Sequence, residues 1–508
     1  MGRVRAALSS VATPRWDRLL VTIWLVGFAI ARSARFKERD PYWQVRAGLE
    51  NLAGQPLARP DTWSWAPVGG DWYQNSPLWD SFLGLGYAGG GFWGLFVVTV
   101  LTMAGYFLLA ERLALRLGAR PLPSLAGLLA VFCSALAMLS PRATLAAQVL
   151  ILAAVLIALE WAEGPARRLS WPANLALGFV LALGLSTLGN WVHLSFLLIG
   201  PGLGVVWLVV WFFAPVTRAV KTALSVAGLV GWGLGPVLSP YGLVGGLERT
   251  AAVQAACQGV ILEWSTPFTP GMPAELVVMA LIAAAAAMAI AGWLLRCCLR
   301  GPRDLAFGGL LALAAIGIPF SLLGLSAVRF LGIGLLSLAP VLAVGVTDLV
   351  DYGRSRWAHA SGSRWWEYTT GRLWRVVLWL TALVLVPPAS LLGANHSVPA
   401  EASLVAQLPA GCRLYSDAGL AGPVILLRPD VTVWIDGRAD YYGRERTVLQ
   451  HAYLEASAAE LVPDGTTCVA LDTSLGEIDL VRKLDQSPDW QPAGQVDVYR
   501  LWLPRQSR

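Results

Sequence analysis

The sequence predicts a polytopic α-helical membrane protein with a small α/β domain at its C-terminal end. Hydrophobic residues make up 56% of the 508 residues and charged residues only 14%. Apolar runs of roughly 17 to 25 residues, the length that crosses about 30 Å of hydrocarbon, recur along most of the chain. The final segment, from about residue 394 onward, instead alternates short apolar runs with polar stretches, which is typical of a water-exposed α/β module.

About eleven apolar runs are long enough to span a bilayer. They lie near residues 17–33, 91–110, 122–139, 144–161, 171–188, 194–213, 218–236, 274–295, 304–323, 329–348 and 373–393. The first run has no small-residue cleavage site after it, so we interpret it as a retained signal anchor. We therefore expect residues 1–393, including outer segments 34–89 and 237–273, to form the transmembrane domain.

Positive charges predict the orientation of the chain, because short loops rich in Lys and Arg stay in the cytoplasm. Such residues occur at the N-terminus and in alternate connections: Arg3, Arg5, Arg15 and Arg18, then Arg112, Arg116 and Arg120, then Arg167 and Arg168, then Arg218 and Lys221, then Arg296, Arg300 and Arg303, then Arg354, Arg356, Arg364, Arg372 and Arg375. The N-terminus is thus predicted to be cytoplasmic and residues 394–508 extracytoplasmic. The net charge of +6 reflects this bias and does not indicate nucleic-acid binding.

The two outer segments are too long to be simple connectors, and long loops are usually functional. The first is predicted to contain an amphipathic helix from Pro41 to about Leu52, ended by Gly54. In the C-terminal domain we predict strands near 413–415, 422–427, 431–435, 467–471 and 495–502 and helices near 400–408 and 456–461. Cys412 and Cys468 each lie at the head of a predicted strand, where either a disulfide or two buried thiols would fit.

Short motifs follow one another along the chain in a defined order. They are Glu38-x-Asp40-x-x-Trp43-Gln44-x-x-x-Gly48, Asp61-x-Trp63-Ser64-Trp65, Ser140-Pro141-Arg142, Asn190-Trp-x-His193, Ser239-Pro240-Tyr241-Gly242, Glu263-Trp264, Arg329-Phe330 and Asp436-Gly437-Arg438-Ala439-Asp440. In order and spacing this series resembles bacterial membrane proteins of the GT-C glycosyltransferase superfamily over nearly the whole chain. Many proteins of that shape are assigned by fold alone, so the resemblance does not specify a substrate.

The resemblance implies an enzyme that transfers a sugar, with inversion, from a polyprenyl-phosphate donor to an acceptor hydroxyl of the cell envelope. It places the catalytic carboxylate at Asp40, with Glu38 beside it. Two positions depart from the pattern, since Glu38 replaces the commoner Asp and Gln44 stands where many relatives carry His. These departures put in doubt a second role in metal or phosphate contact, so the need for a divalent cation (Mg or Mn) is left open.

The chemistry of Asp40 supports that role independently, because a positioned carboxylate that accepts the acceptor's proton contributes about 10²- to 10⁴-fold to the rate. A structural alternative has similar weight: Asp before Pro41 suits a helix N-cap followed by Pro at the first helical position. The two interpretations are compatible.

Positive groups are needed where a lipid phosphate departs. Arg142, Arg329 and His193 fall near predicted outer span ends, where Arg is unexpected, and the planar guanidinium suits phosphate oxygens. Snorkelling to lipid headgroups is the alternative for both arginines, and simple packing the alternative for His193. The remaining predicted substrate contacts are Trp43, Gln44, Asp61, Trp72, Asn190, Glu263, Asp436 and Arg438. For these the alternatives are interfacial anchoring of the Trp residues, turn formation at Asp436-Gly437 and a structural ion pair at Glu263.

Other function classes have less support in the sequence. It contains no Gly-x-Ser-x-Gly, His-Glu-x-x-His or P-loop motif. A lipid transporter or flippase is the main rival, but no internal repeat or matched pair of broken spans is present. A catalytically inactive scaffold whose C-terminal domain binds a partner is the third interpretation.

Overall fold

The computed structural model describes residues 15–33, 39–300, 304–361, 378, 380–381, 398–474 and 479–505. The chain divides into two compact units, each assembled from three stretches. The first unit contains residues 1–35, 99–243 and 265–394, and the second contains residues 36–98, 244–264 and 395–508. Much of both predicted outer segments therefore belongs to the same unit as the C-terminal domain, whereas the sequence analysis grouped them with the spans.

The chain is a multi-pass membrane protein. Eight helices among the described residues are long and apolar enough to cross a membrane: Pro77–Arg116, Ala143–Arg168, Trp171–Val192, Phe196–Phe213, Arg218–Leu238, Ala274–Leu299, Leu305–Leu323 and Arg329–Gly353. Each coincides with one of the eleven predicted spans. The helix Pro77–Arg116 is two helices joined at a kink, where Gly90 and Gly91 leave helical geometry.

The other three predicted spans are not among these eight helices. The run near 17–33 forms the helix Arg15–Ser33, which carries charged residues in its first and last turns. The run 122–139 was predicted as one span, but its helix, Pro121–Ser134, has only 14 residues, and a 3₁₀ turn follows at Leu136–Met138. At 1.5 Å per residue this helix is about 21 Å long, short of the hydrocarbon thickness. The run 373–393 lies outside the described residues except for 378, 380 and 381.

The first unit has a continuous apolar core, in which the side chains of Phe107, Phe132, Trp207 and Trp232 are fully buried or nearly so. Close helix packing accompanies it: a methyl group on Gly231 would lie 2.7 Å from the Cβ of Ala182. Such packing fixes the positions of the helix ends, and three of those ends carry Arg142, His193 and Arg329.

The second unit contains a five-stranded mixed sheet and a small two-stranded sheet. Strands β1 (Ala58–Pro60) and β2 (Asp71–Tyr73) pair antiparallel. The larger sheet has the order β4-β3-β5-β7-β6, with β3 Arg413–Ser416, β4 Thr432–Val433, β5 Cys468–Asp472, β6 Trp490–Val496 and β7 Tyr499–Pro504. Strands β4, β3 and β5 are parallel, and β7 pairs antiparallel with β5 and β6. The helices of this unit include Asp40–Leu52, Gly242–Cys257, Ala402–Val405, Ala418–Leu427, Ala439–Leu454 and Asp479–Gln486.

The C-terminal domain confirms the α/β prediction but corrects individual elements. The run predicted as a strand at 422–427 is part of the helix Ala418–Leu427, which begins where the Asp417 carboxylate accepts from Leu420 N–H. An apolar run buried on all sides carries no periodicity that separates strand from helix. The predicted strand 495–502 is the β6–β7 hairpin, and the predicted helix at 456–461 does not form. Cys412 and Cys468 form a disulfide between the starts of β3 and β5.

The first outer segment is integrated into the second unit at two places. Residues 63–65 run beside β4, where Val433 N–H donates to the Trp63 carbonyl and Trp65 N–H donates to the Val433 carbonyl. The helix Asp40–Leu52 touches the start of Pro77–Arg116 backbone to backbone, since a methyl on Gly84 would lie 2.6 Å from the Gly48 carbonyl carbon. Asp40 is thus at the start of a firmly packed helix.

Candidate active site

The predicted helix after the first apolar run is confirmed, and it begins at Asp40 itself. Arg39 therefore occupies the N-cap position, and its side chain makes no capping hydrogen bond. Asp40 is half-buried, and its Oδ1 accepts a hydrogen bond of 3.1 Å from the indole N–H of Trp43. A hydrogen bond donated to a carboxylate favours its ionised form, which is the form a general base needs. Glu38, the other predicted carboxylate, lies outside the described residues.

Gln44 lies one helical turn after Asp40, so the two side chains share a helix face. Gln44 is buried, and within the described part of the chain its Oε1 has no hydrogen-bond partner. A buried acceptor without a partner costs roughly 1–3 kcal/mol, and a bound ligand with a donor group would remove that cost. The predicted substrate contact at Gln44 stays a prediction, and the unpartnered oxygen is consistent with it.

Arg438 is the centre of a buried polar network in the same unit. Its guanidinium donates to Asp436 through Nε (2.9 Å to Oδ1) and Nη2 (2.7 Å to Oδ2), and Nη2 also donates to Asp61 at 2.8 Å. The Tyr442 hydroxyl donates to Asp436 and lies 2.6 Å from the Ser64 hydroxyl. The three charged side chains expose 1% of their surface or less.

Two Trp side chains of the first outer segment pack on the same network, and one of them, Trp72, was predicted as a substrate contact. The guanidinium carbon of Arg438 lies 4.3 Å from the ring centre of Trp63 and 4.8 Å from that of Trp72. Trp72 exposes 3% of its surface and also packs against Trp43. Asp61, Trp72, Asp436 and Arg438 were predicted as substrate contacts, which stays a prediction; here they contact one another, and Asp61 Oδ2 has no hydrogen-bond partner among the described residues. In this structure they anchor the first outer segment to the C-terminal domain.

Glu263 is half-buried in the 3₁₀ turn Leu262–Trp264. Its neighbour Trp264 packs on a small cluster that contains Ala256, Cys257 and Ala439. Ala439 directly follows Arg438, so this turn supports the loop that carries the buried network. Among the residues the structure describes, no group of three or more His, Cys, Asp or Glu side chains is arranged to hold a metal ion.

The first unit brings together the three predicted phosphate-binding residues. Arg142 is the N-cap of the helix Ala143–Glu163, His193 lies two residues before the N-cap of Phe196–Phe213, and Arg329 is the first residue of the helix Arg329–Ser361. All three are half-buried. The pKa of His193 is lowered to about 3, first by the loss of surrounding water and then by the positive charges of Arg329 and Arg142. Both guanidiniums are therefore close enough to His193 to act on its ring.

The hydrogen bonds of His193 define its tautomer. Ser195 N–H donates to Nδ1 at 3.1 Å, and the Ser195 hydroxyl lies 2.7 Å from the same atom. A backbone N–H can only donate, so Nδ1 is the acceptor and the ring proton is on Nε2. A neutral His193 thus offers an Nε2–H donor beside two permanent cations.

Asn190 lies one turn before His193 and is fully buried. Its amide donates to the Ser186 carbonyl at 2.8 Å, while its Oδ1 has no hydrogen-bond partner among the described residues. As with Gln44, such an atom is suited to a ligand that carries a donor.

Two solved structures share the architecture of this chain. The oligosaccharyltransferase of Archaeoglobus fulgidus, tethered with an acceptor peptide, is 11% identical with a TM-score of 0.51, over 97% of this chain and 74% of that chain. ArnT from Cupriavidus metallidurans, bound to undecaprenyl phosphate, is 14% identical with a TM-score of 0.51, over 98% of this chain and 99% of that chain. The chain has the GT-C fold. No family model matches it, and no curated protein does.

At identities this low, the structural likeness shows the fold alone. The activity has to be argued from the residues of this chain. Within that fold, sequence reasoning missed Arg39, whose guanidinium is surrounded by Glu401, Asp417, Asp472 and the hydroxyl of Tyr499. It also missed Gly437, where a methyl group would lie 3.3 Å from Asp40 Cγ. The signal for Gly437 was its position in a charged motif immediately after a strand, which drew attention only to its charged neighbours.

Proposed function

We propose that the protein is an inverting glycosyltransferase that moves a sugar from a polyprenyl-phosphate donor to a hydroxyl of an extracytoplasmic acceptor in the cell envelope. The observation that carries this proposal is the grouping of Arg142, His193 and Arg329 near the N-termini of three long helices. Helix N-termini carry partial positive charge, and two guanidiniums add permanent charge. A half-buried site with this donor set suits a phosphate better than a neutral ligand.

The leaving group of the proposed reaction accounts for these donors. When the bond between the sugar and the phosphate breaks, negative charge develops on the departing polyprenyl phosphate. Preorganised donors stabilise such developing charge without rearranging, which lowers the barrier. Arg142 and Arg329 supply charge and planar donors, and the neutral His193 supplies one hydrogen bond through Nε2.

Asp40 is the proposed general base. One of its carboxylate oxygens takes the proton of the acceptor hydroxyl while the hydroxyl oxygen attacks the anomeric carbon and the polyprenyl phosphate leaves. A single displacement of this kind inverts the configuration of that carbon. Gln44, one turn along the same helix, is proposed to contact the acceptor or the sugar through its unpartnered oxygen.

One feature supports an extracytoplasmic C-terminal domain. The Cys412–Cys468 disulfide is the kind of bond that persists in oxidising compartments and is rare in the cytosol. It agrees with acceptors located in the cell envelope.

Binding of undecaprenyl phosphate to purified protein in lipid nanodiscs tests the phosphate site. We expect Arg142→Gln and Arg329→Gln each to weaken binding about 10- to 100-fold, because a hydrogen bond to a charged group is worth roughly 1.5–3 kcal/mol. Arg218→Gln is the matched control, since Arg218 is also the first residue of a helix but is exposed. Equal affinities of all three variants and the wild type would contradict the assignment.

A further inference from the structure

Gly437 lies directly against the hydrogen-bonded pair formed by Asp40 and Trp43. A methyl group built on its Cα would lie 2.9 Å from Trp43 Nε1 and 3.3 Å from Asp40 Cγ, and still closer to Asp40 Oδ1. Side chains do not tolerate such distances, so only glycine fits here while the Asp40 carboxylate keeps its present place. Gly437 is itself exposed, so the carboxylate is enclosed on this side without being sealed from solvent.

The position of Gly437 is fixed by its neighbours on both sides. Asp436 and Arg438 belong to the buried network, and Arg438 N–H also donates to Asp436 Oδ1 at 2.9 Å. Tyr442, one turn further on, closes the network through its hydroxyl. Because Gly437 lies between two buried, hydrogen-bonded charged residues, its backbone has little freedom to move away. The surface with which it contacts Asp40 is therefore rigid.

The residue before Asp40 is held by the same domain. A methyl group on Gly422, in the helix Ala418–Leu427, would lie 2.6 Å from the Arg39 carbonyl oxygen. The Arg39 guanidinium forms an ion pair of 2.8 Å with Glu401 and lies 3.9 Å from Asp417. Burial raises the pKa of both Glu401 and Asp417, although the charge of Arg39 opposes the increase.

We propose that the C-terminal domain positions the Asp40 carboxylate, with Gly437 as the residue that sets its place and keeps it on the Trp43 N–H. Gly422 and the Arg39 ion pairs hold the preceding backbone. Gly437 is a positioning residue, because it acts through Asp40 and not on the substrate. This inference rests on the proposed role of Asp40 as the base.

The substitution Gly437→Ala tests the proposal in the full-length protein, by measuring sugar transfer from polyprenyl-phosphate sugars. Displacement of a catalytic group by about 1 Å can cost up to about 10²-fold, so we expect kcat to fall about 10- to 100-fold. The donor KM should change less than about twofold, because Gly437 is not among the residues proposed to hold the donor phosphate. Gly89→Ala is the control, since a methyl group at that position meets nothing within 4 Å.

The pH profile separates positioning from general damage to the fold. Trp43→Phe removes the N–H that stabilises the ionised carboxylate, so the acidic limb of the kcat/KM profile should move to higher pH. Gly437→Ala should move it in the same direction, and the double variant should move it no further than the larger single shift. A normal kcat in Gly437→Ala, a loss expressed only in KM, or shifts that add fully would overturn the proposal.

Asp40→Asn measured in parallel distinguishes the two levels of the account. If Asp40→Asn retains full turnover, the proposed function fails, whatever the result for Gly437→Ala. If Asp40→Asn is inactive while Gly437→Ala behaves as the wild type, only the positioning proposal fails. Should Gly437→Ala not fold, Trp43→Phe alone still decides, because an unshifted acidic limb would overturn the claim that the indole N–H holds the carboxylate.

Discussion

Replacing Arg438 by Met removes the charge that holds the first outer segment to the C-terminal domain. Met keeps much of the apolar stem but none of the donors to Asp436, Asp61 and Tyr442. Two carboxylates with fully buried side chains would lose their cation. Asp61 would be affected more than Asp436, because its Oδ2 already has no hydrogen-bond partner among the described residues.

The expected cost follows from the burial of this network. Breaking a buried ion pair by removing one partner costs about 3–5 kcal/mol, since a charge is left without compensation. The contact of the guanidinium with the Trp63 and Trp72 rings adds on the order of 1 kcal/mol. For a domain of about 150–250 residues, 1 kcal/mol corresponds to roughly 2–4 °C, so we expect the melting temperature to fall by about 10 °C or more.

Thermal unfolding of the purified protein in detergent measures this effect. Arg413→Met is the control, because Arg413 is exposed on β3 of the same domain and should shift the melting temperature by less than about 2 °C. Arg438→Lys should recover little stability, since an ammonium group cannot reproduce the two-pronged contact with Asp436. A melting temperature for Arg438→Met equal to that of the control would refute a structural role for the network.

Three further predictions concern other parts of the molecule. Gly48→Ala should lower the melting temperature strongly, because its methyl group would lie 2.6 Å from the Asp80 carbonyl carbon. Gly89→Ala should leave the melting temperature nearly unchanged, and equal melting temperatures for the two variants would contradict the backbone contact. Burial raises the pKa of half-buried Asp440 to about 6, although the charge of Arg438 opposes the increase. The folded protein therefore favours the neutral carboxyl, and this contribution to the free energy of unfolding is complete below about pH 4 and is lost as the pH rises through 6. Asp440→Asn should therefore have a free energy of unfolding about 2 kcal/mol higher than that of the wild type at pH 8, and nearly the same at pH 4. Melting curves recorded at several pH values measure this difference, and a difference that does not change with pH would contradict the prediction. His193→Gln should keep the affinity for undecaprenyl phosphate within about threefold of the wild type, because the Gln amide replaces the Nε2–H donor. His193→Ala should lower that affinity about 10-fold. Equal losses of affinity for the two variants would contradict the assigned tautomer.

Features that depend on local sequence were predictable. The eight spans that the structure bears out and the helix that begins at Asp40 follow from apolar length, periodicity and Pro41. The same reasoning failed at 122–139, where the apolar run was long enough but the helix ends at Ser134, and at 422–427, where apolarity alone could not separate strand from helix.

Features that depend on distant pairing were not predictable. Asp61 and Arg438 are 377 residues apart in the chain, and nothing in either segment announces the other. The charge of Arg438 suggested a ligand contact because charged residues after a strand end often bind ligands, and the structure shows that Arg438 binds Asp61; the substrate contact stays a prediction. The choice between a disulfide and free thiols at Cys412 and Cys468 was also open in the sequence, because it depends on two strand starts being adjacent in the sheet.

The most direct measurement is sugar transfer from polyprenyl-phosphate sugars by folded Asp40→Asn protein, with Asp71→Asn as the control. Asp71 is an exposed carboxylate in the same unit, and its loss should leave turnover unchanged. Asn has nearly the shape of Asp but cannot accept the proton of the acceptor, so we predict a fall of about 10²- to 10⁴-fold in kcat with the melting temperature preserved. Undiminished turnover by Asp40→Asn would contradict the account.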